Sequence, residues 1–422
     1  MDNIIFIYAV YFLTLIFVLY KTLASKNIFL LMFGFIYFIY SLGFLFQSFR
    51  FRYFTKFVEV NFTPDDYILL VILNLVLAGI ILYDNFAYLD KQPFSMSNIR
   101  VKFLSYIFII LGIIAMTNDF LFYGSKDFIL SDKAARFAGL FNTPPNLFFI
   151  TINYHLFLLS GLNGLASLNN NSKKYVIYLL MAVVSIMGLL QGYRYYVGSL
   201  FLLVFLQYQK IKKLPLAKVL IFIASALFLS EVSKNLLGYI KFYNWVGKYG
   251  FVNYFLKSYE KYTVFIPPEI AAITANTYAG FSSLNEIHTD ILGYFIKIFP
   301  FSEKFYDFQS FDDFYLQSVR FYGLKLNPGQ GTASSFFLEN YTSYFLPMIF
   351  VAGVAYLWRL HQSPIMLILI THFCFNIIRN GLLVSIGDLK IPLLIYLLIF
   401  LVMQLIFKQK YRKYPLDINP YG

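Results

Sequence analysis

The chain has 422 residues, of which 59% are hydrophobic, 21% aromatic and 13% charged, with a formal net charge of +13. That composition excludes a soluble globular domain, and the single cysteine, Cys374, excludes disulfides and cysteine-rich metal sites. The basic excess is spread over many short loops instead of forming a patch, so it does not point to nucleic acid.

Apolar runs of about 16–22 residues recur from end to end, the length an α-helix needs to cross a hydrocarbon core of about 30 Å. The first run, at about 3–20, lacks the basic flank and small-residue cleavage site of a signal peptide and is read as a retained transmembrane helix. Spans follow at about 28–47, 67–86, 103–117, 146–167, 176–191, 195–209 and 216–237, the sixth and seventh joined by a very short turn at Gly192 to Arg194. A segment of mostly non-membrane sequence runs over about 238–335, and three last spans occupy about 336–358, 364–378 and 391–407. The fold class is therefore an all-α polytopic membrane protein of about eleven helices, one integral membrane domain over 1–422.

Orientation follows from the basic loops. Lys21 and Lys26, then Lys91, Arg100 and Lys102, then Lys173 and Lys174, then Lys210, Lys212 and Lys213, and the tail Lys408, Lys410, Arg412 and Lys413 follow alternate spans. The positive-inside rule makes these cytoplasmic and the C-terminus with them. An odd span count then places the N-terminus and the 238–335 loop outside. Within that loop the Pro267-Pro268-Glu269 step starts a short helix, since a proline at the first helical position gives up no hydrogen bond. Further on, Ile287, Ile291, Phe295 and Phe299 recur at helical spacing, with His288, Asp290 and Lys297 on other faces and Pro300 as the stop. That is the pattern of an amphipathic helix lying on a membrane surface.

The residues able to carry chemistry cluster on the outer side. Arg194 lies in "GYRYY" where the positive-inside rule disfavours a cation. It is either an arginine snorkelling beside the aromatic belt of Tyr193, Tyr195 and Tyr196, or a guanidinium held for an anion. In "NPGQGTASSFFLENYTSYF" a Gly- and Ser-rich turn leads into an apolar helix with Glu339 near its start. A carboxylate entering a membrane is expensive. It is either an acid favoured by the helix dipole or a general base. His288 is a second candidate base, or else a solvated residue on a polar face. His155 and His372 fall within spans and read as helix-packing residues, and His361 falls in a cytoplasmic turn. Asp307, Asp312 and Asp313 resemble a metal cluster only superficially, because adjacent carboxylates on a helix diverge by about 100°. No cofactor or metal is expected.

Three features together resemble the Wzy-type oligosaccharide repeat-unit polymerases of bacterial O-antigen and capsule assembly. They are Gly192-Tyr193-Arg194 between adjacent spans, the large outer loop before the last three helices, and Gly329-Gln330-Gly331-Thr332 running on to Glu339-Asn340-Tyr341. Tyr195 and Tyr196 depart from the small residue usual beside the arginine. The resemblance implies a GT-C-like membrane glycosyltransferase of the inner membrane. It would transfer a glycan from an undecaprenyl-pyrophosphate carrier to the next lipid-linked repeat unit at the periplasmic face. Partners would be the lipid-linked donor and acceptor, membrane lipids, and a flippase and a chain-length regulator of the same pathway. Arg194 and Arg320, with Arg379 and Arg136 behind them, would clamp the pyrophosphate. Tyr193, Gly329, Gly331, Thr332 and Tyr341 would line the glycan site, with Glu339 or His288 as base. An O-antigen ligase shares the donor chemistry. A flippase is a third reading, disfavoured by the odd span count and the long loop.

Overall fold

The structure, a computed structural model of the chain, describes residues 2–53, 56–87, 94–95, 97–130, 154–168, 173–190, 250–259, 268–282, 291–299 and 336–413, with scattered positions at 221–239 and 302–306. The seventh and eighth spans at 195–209 and 216–237 lie essentially outside these residues, so the count of eleven is not established here. Among the described residues five helices are long and apolar enough to cross a membrane, or six if one bent pair counts as a single span.

The first three helices pack around the second and the polar groups at its end. α1 (Asp2–Leu23), α2 (Ile28–Ser41) and α3 (Pro64–Ala87) lie against one another, with α2 almost wholly buried. A 3-10 turn, Leu42–Leu45, continues α2. Its end is exposed to no partner of its own helix, so its carbonyls need donors from elsewhere. Three tyrosines supply them: Tyr8 donates to Leu45 O at 2.7 Å, Tyr11 to Ser41 O at 3.0 Å and Tyr67 to Phe44 O at 3.0 Å. Deeper in, Tyr37 donates to Asn74 at 2.8 Å and Asn74 to Thr14 at 3.1 Å, a polar chain that lets an asparagine sit fully buried in an apolar helix. Thr63 and Asp66 form a capping box at the start of α3, Asp66 accepting from both Thr63 N and Oγ1 at 2.8 Å.

Between α2 and α3 the chain makes an antiparallel hairpin, β1 (Ser48–Tyr53) with β2 (Lys56–Asn61). It was not expected from the apolar runs. α4 (Asn98–Leu130), α5 (Tyr154–Leu168) and α6 (Lys173–Leu190) follow. α4 and α5 approach closely because Gly161 and Gly164 face Ser105, where a Cβ would collide with Ser105 O and Oγ. From the long loop, α7 (Phe251–Tyr259), α8 (Pro268–Ser282) and α9 (Ile291–Lys297) are described. α8 starts at Pro268, as the Pro-Pro-Glu step predicts, but it is buried at Ile270, Ile273, Thr274, Ala275 and Thr277, so it is inserted among the other helices. α9 presents Leu292 and Phe295 outward, with Phe299 exposed just beyond its end, and turns Tyr294 inward.

Two expectations near the C-terminus are corrected. The span at 336–358 is two helices, α10 (Phe336–Thr342) and α11 (Leu346–Leu360), bent by 108°. Pro347 explains the break: it has no N–H, and in a continuous helix its ring would meet the carbonyl of Ser343. The turn is closed by Tyr344 and Phe345 in the left-handed region, φ 53° and 61°. Asn340 braces it, accepting from Met348 N at 3.1 Å and donating to Phe336 O at 2.7 Å. After α12 (Pro364–Asn380) a single residue, Gly381 at φ 82°, precedes α13 (Leu382–Lys413), so the stretch "GDLK" between the last two predicted spans is helical. At the other end of α11, β4 (His361–Gln362) pairs in parallel with β3 (Phe94–Ser95).

Candidate functional site

Glu339 is 4% exposed, and two donors hold its carboxylate. Tyr294 of α9 donates to Oε1 at 2.6 Å, and the backbone N–H of Leu382 donates to Oε2 at 2.5 Å. Leu382 opens α13, so the acid caps the N-terminus of a helix 43 residues further along the chain, where the helix dipole favours negative charge. The bend after α10 makes this possible: a straight helix through 336–358 would carry the chain onward without the brace at Asn340. Close packing fixes α10 from the other side, since a Cβ at Gly280 of α8 would collide with the Leu338 side chain.

Charged groups gather around the α12–α13 junction. Arg379, half-buried, stands in the last turn of α12, three residues before Leu382, which limits the separation of their Cα atoms to about 10 Å. Asn376 donates to Asp388 at 2.8 Å. Lys390, 6% exposed, reaches Phe299 O and Ser302 Oγ, each at 3.5 Å. The Lys297 chain lies across Gly387, where a Cβ would stand 3.1 Å from its Cε. One end of the bundle therefore combines a buried carboxylate and a phenol with cations from α9, α12 and α13. Such an arrangement suits an anionic substrate whose reacting hydroxyl needs a base.

Of the residues singled out from the sequence, the structure brings Glu339 and Arg379 to this end. Tyr341 lies on another face of α10: its hydroxyl donates to Leu69 O and its ring packs edge-on against Phe281 and Phe345. That placement ties α10 to α3 and α8 rather than to the carboxylate. His288, Arg194, Arg320, Arg136, Tyr193, Gly329, Gly331 and Thr332 lie outside the described residues, as do Asp307, Asp312 and Asp313. Among the described residues no group of three or more His, Cys, Asp or Glu side chains is placed to hold a metal ion. Sequence reasoning missed Tyr294, Asn376, Asp388 and Lys390. The last two had a visible signal, an acid and a base two residues apart between apolar runs; for the others the partners are too remote in sequence to be read.

No protein-family model, curated protein or solved structure matches this chain.

Proposed function

We propose that this chain is a membrane glycosyltransferase that polymerises polyprenyl-pyrophosphate-linked oligosaccharide repeat units, working at the outer face of a bacterial inner membrane. The observation that carries the reading is the buried Glu339, set at the start of a broken span and joined to the N-terminus of α13, the helix that follows Arg379. In the reaction the acceptor sugar hydroxyl attacks the anomeric carbon of the donor glycan. The anomeric C–O bond to pyrophosphate breaks, the polyprenyl pyrophosphate leaves with the electron pair, and the hydroxyl proton passes to a base. Glu339 is the candidate base, its carboxylate held in place by Tyr294 and the Leu382 N–H. Arg379, together with Arg194 and Arg320, is assigned to the leaving pyrophosphate, where a planar guanidinium can make paired contacts with two phosphate oxygens. His288 is the alternative base, and Arg136, Tyr193, Gly329, Gly331 and Thr332 complete the proposed glycan and carrier contacts, while Tyr341, turned toward α3, is not among them. The eleven-span topology, with the N-terminus and the 238–335 loop outside and the C-terminus inside, belongs to the same proposal.

A strain lacking the chain tests it. The surface glycan, separated on a gel, should collapse from a ladder to single repeat units on the lipid A core. Loss of all glycan from the core would instead indicate a ligase, and an unchanged ladder would remove the polymerase reading.

A further inference from the structure

At the end of the bundle opposite Glu339 a cavity of about 360 Å³ opens between α3 and α11. Its walls are two matched helical faces, Val76, Gly79, Ile80 and Tyr83 on α3 against Ala352, Ala355 and Tyr356 on α11. Small residues on facing helices ordinarily let the backbones close together. Here they do not, since a Cβ at Gly79 would meet nothing within 4 Å. One end of this apolar seam carries Asp84 and Arg359, 5% and 7% exposed, and both line the cavity. Asp84 Oδ1 accepts from Asn27 at 3.2 Å, while Asp84 Oδ2 and Arg359 Nε have no hydrogen-bond partner. The two side chains lie within electrostatic reach of each other, yet these two atoms are not bonded to one another. A buried acid and a buried guanidinium that each lack a bond are costly, and the cost falls when a ligand brings an acceptor to one and a donor to the other.

We propose that the groove between α3 and α11 binds a phosphoethanolamine-headed phospholipid, with its phosphate on Arg359, its ammonium on Asp84 and an acyl chain along Gly79, Ala352 and Ala355. The charge pattern selects the headgroup. A phosphodiester supplies acceptors for the guanidinium. A primary ammonium supplies N–H donors for the carboxylate, which a choline lacks. A headgroup bearing only negative charge meets the Asp84 carboxylate. The outward-facing rings of Tyr83 and Tyr356, 71% and 45% exposed, flank the charged pair at the level where aromatic side chains mark a membrane interface. Lys21, Lys26 and Arg100 belong to this end, so by the orientation proposed above the lipid comes from the cytoplasmic leaflet.

The test uses the purified full chain in detergent, exposed to an equimolar mixture of phosphatidylethanolamine, phosphatidylglycerol and phosphatidylcholine with identical acyl chains, and read by native mass spectrometry. The expected result is retention of phosphatidylethanolamine about tenfold above the other two, the scale of one charge-assisted hydrogen bond. Arg359→Gln should abolish that preference, and Asp84→Asn, which keeps an acceptor for Asn27, should shift it toward phosphatidylglycerol. Gly79→Leu should remove the bound lipid while leaving thermal stability intact, because the new side chain enters open space. Equal retention of the three lipids by the parent chain, or an unchanged preference in Gly79→Leu and Asp84→Asn, would overturn the assignment.

Discussion

Replacing Glu339 with alanine should loosen the start of α13, and replacing it with glutamine should not. In Glu339→Ala the Leu382 N–H and the Tyr294 hydroxyl both lose an acceptor in a buried site. A buried donor deprived of its acceptor costs about 1–3 kcal/mol, so the pair amounts to roughly 2–6 kcal/mol. Removing the carboxylate also relieves its own desolvation penalty, and a net loss of about 2–4 kcal/mol is expected. Glutamine has nearly the same shape. Its oxygen can accept from Leu382 N and its amide can donate to the Tyr294 oxygen, so the cost should be about 0.5–1.5 kcal/mol. The protein carries its own probe for this comparison: Cys374, the single cysteine, is fully buried in α12 beside the affected junction. The temperature at which it reacts with a thiol-specific fluorescent maleimide should drop well below that of the parent chain in Glu339→Ala and only slightly in Glu339→Gln. If Glu339→Ala protects Cys374 as well as the parent does, the carboxylate does not hold α13 and the cap is incidental. Glutamine cannot accept a proton, so under the proposed function this stable variant should still lose glycan elongation.

Other consequences are open to the same kind of measurement. Asn27 accepts from Phe29 N at the start of α2 and donates to Asp84 and to Ala355 O, so Asn27→Ala should cost about 2–4 kcal/mol through loss of the cap and of two buried contacts, read as earlier Cys374 exposure. At the bend after α10, Tyr344→Gly should be tolerated while Tyr344→Val should cost about 1–2 kcal/mol, because a β-branched residue resists the left-handed conformation at φ 53°. His361 lies in the turn between α11 and α12, and burial pushes its pKa below the usual histidine value. A histidine with a lowered folded-state pKa stabilises the protein above its unfolded value of about 6.5 and loses that contribution as the pH falls through it. Thermal stability should therefore decline on acidification below about pH 6.5, and His361→Gln should flatten that decline; a parent profile unchanged across this range would count against the burial argument. Reporter fusions near Gly280 and after Lys413 should read outside and cytoplasmic respectively, and a cytoplasmic signal near Gly280 would place the Glu339 end on the wrong face.

Hydrophobic length made α1, α2, α3 and the middle of α4 legible, because an apolar run of spanning length marks every residue in it, while the ends of α4, outside 103–117, carry polar and charged residues. The bend at Tyr344 and Phe345 was hidden for the opposite reason. The segment 336–358 is apolar throughout apart from its first turns, and hydropathy does not register that Pro347 and the buried Asn340 act together against a continuous helix. The β1–β2 hairpin was lost among aromatic and basic residues that read as a loop between spans. The tyrosines that satisfy the end of α2 come from α1 and α3, up to 37 residues away, so no local signal announces them. Glu339 was noticed for its cost, which was the right reason. Its partners were not foreseeable: Tyr294 lies 45 residues before it and Leu382 lies 43 after, so that besides standing in the first turn of its own helix it caps the start of α13.

The most direct test of glycosyl transfer is a reconstitution: the purified chain in lipid vesicles, supplied with polyprenyl-pyrophosphate-linked repeat units alone, with the glycan products sized after mild acid release. A series of products longer by whole repeats, absent with Glu339→Gln, is the expected result. Repeat units that stay unextended in the presence of folded parent protein would contradict it.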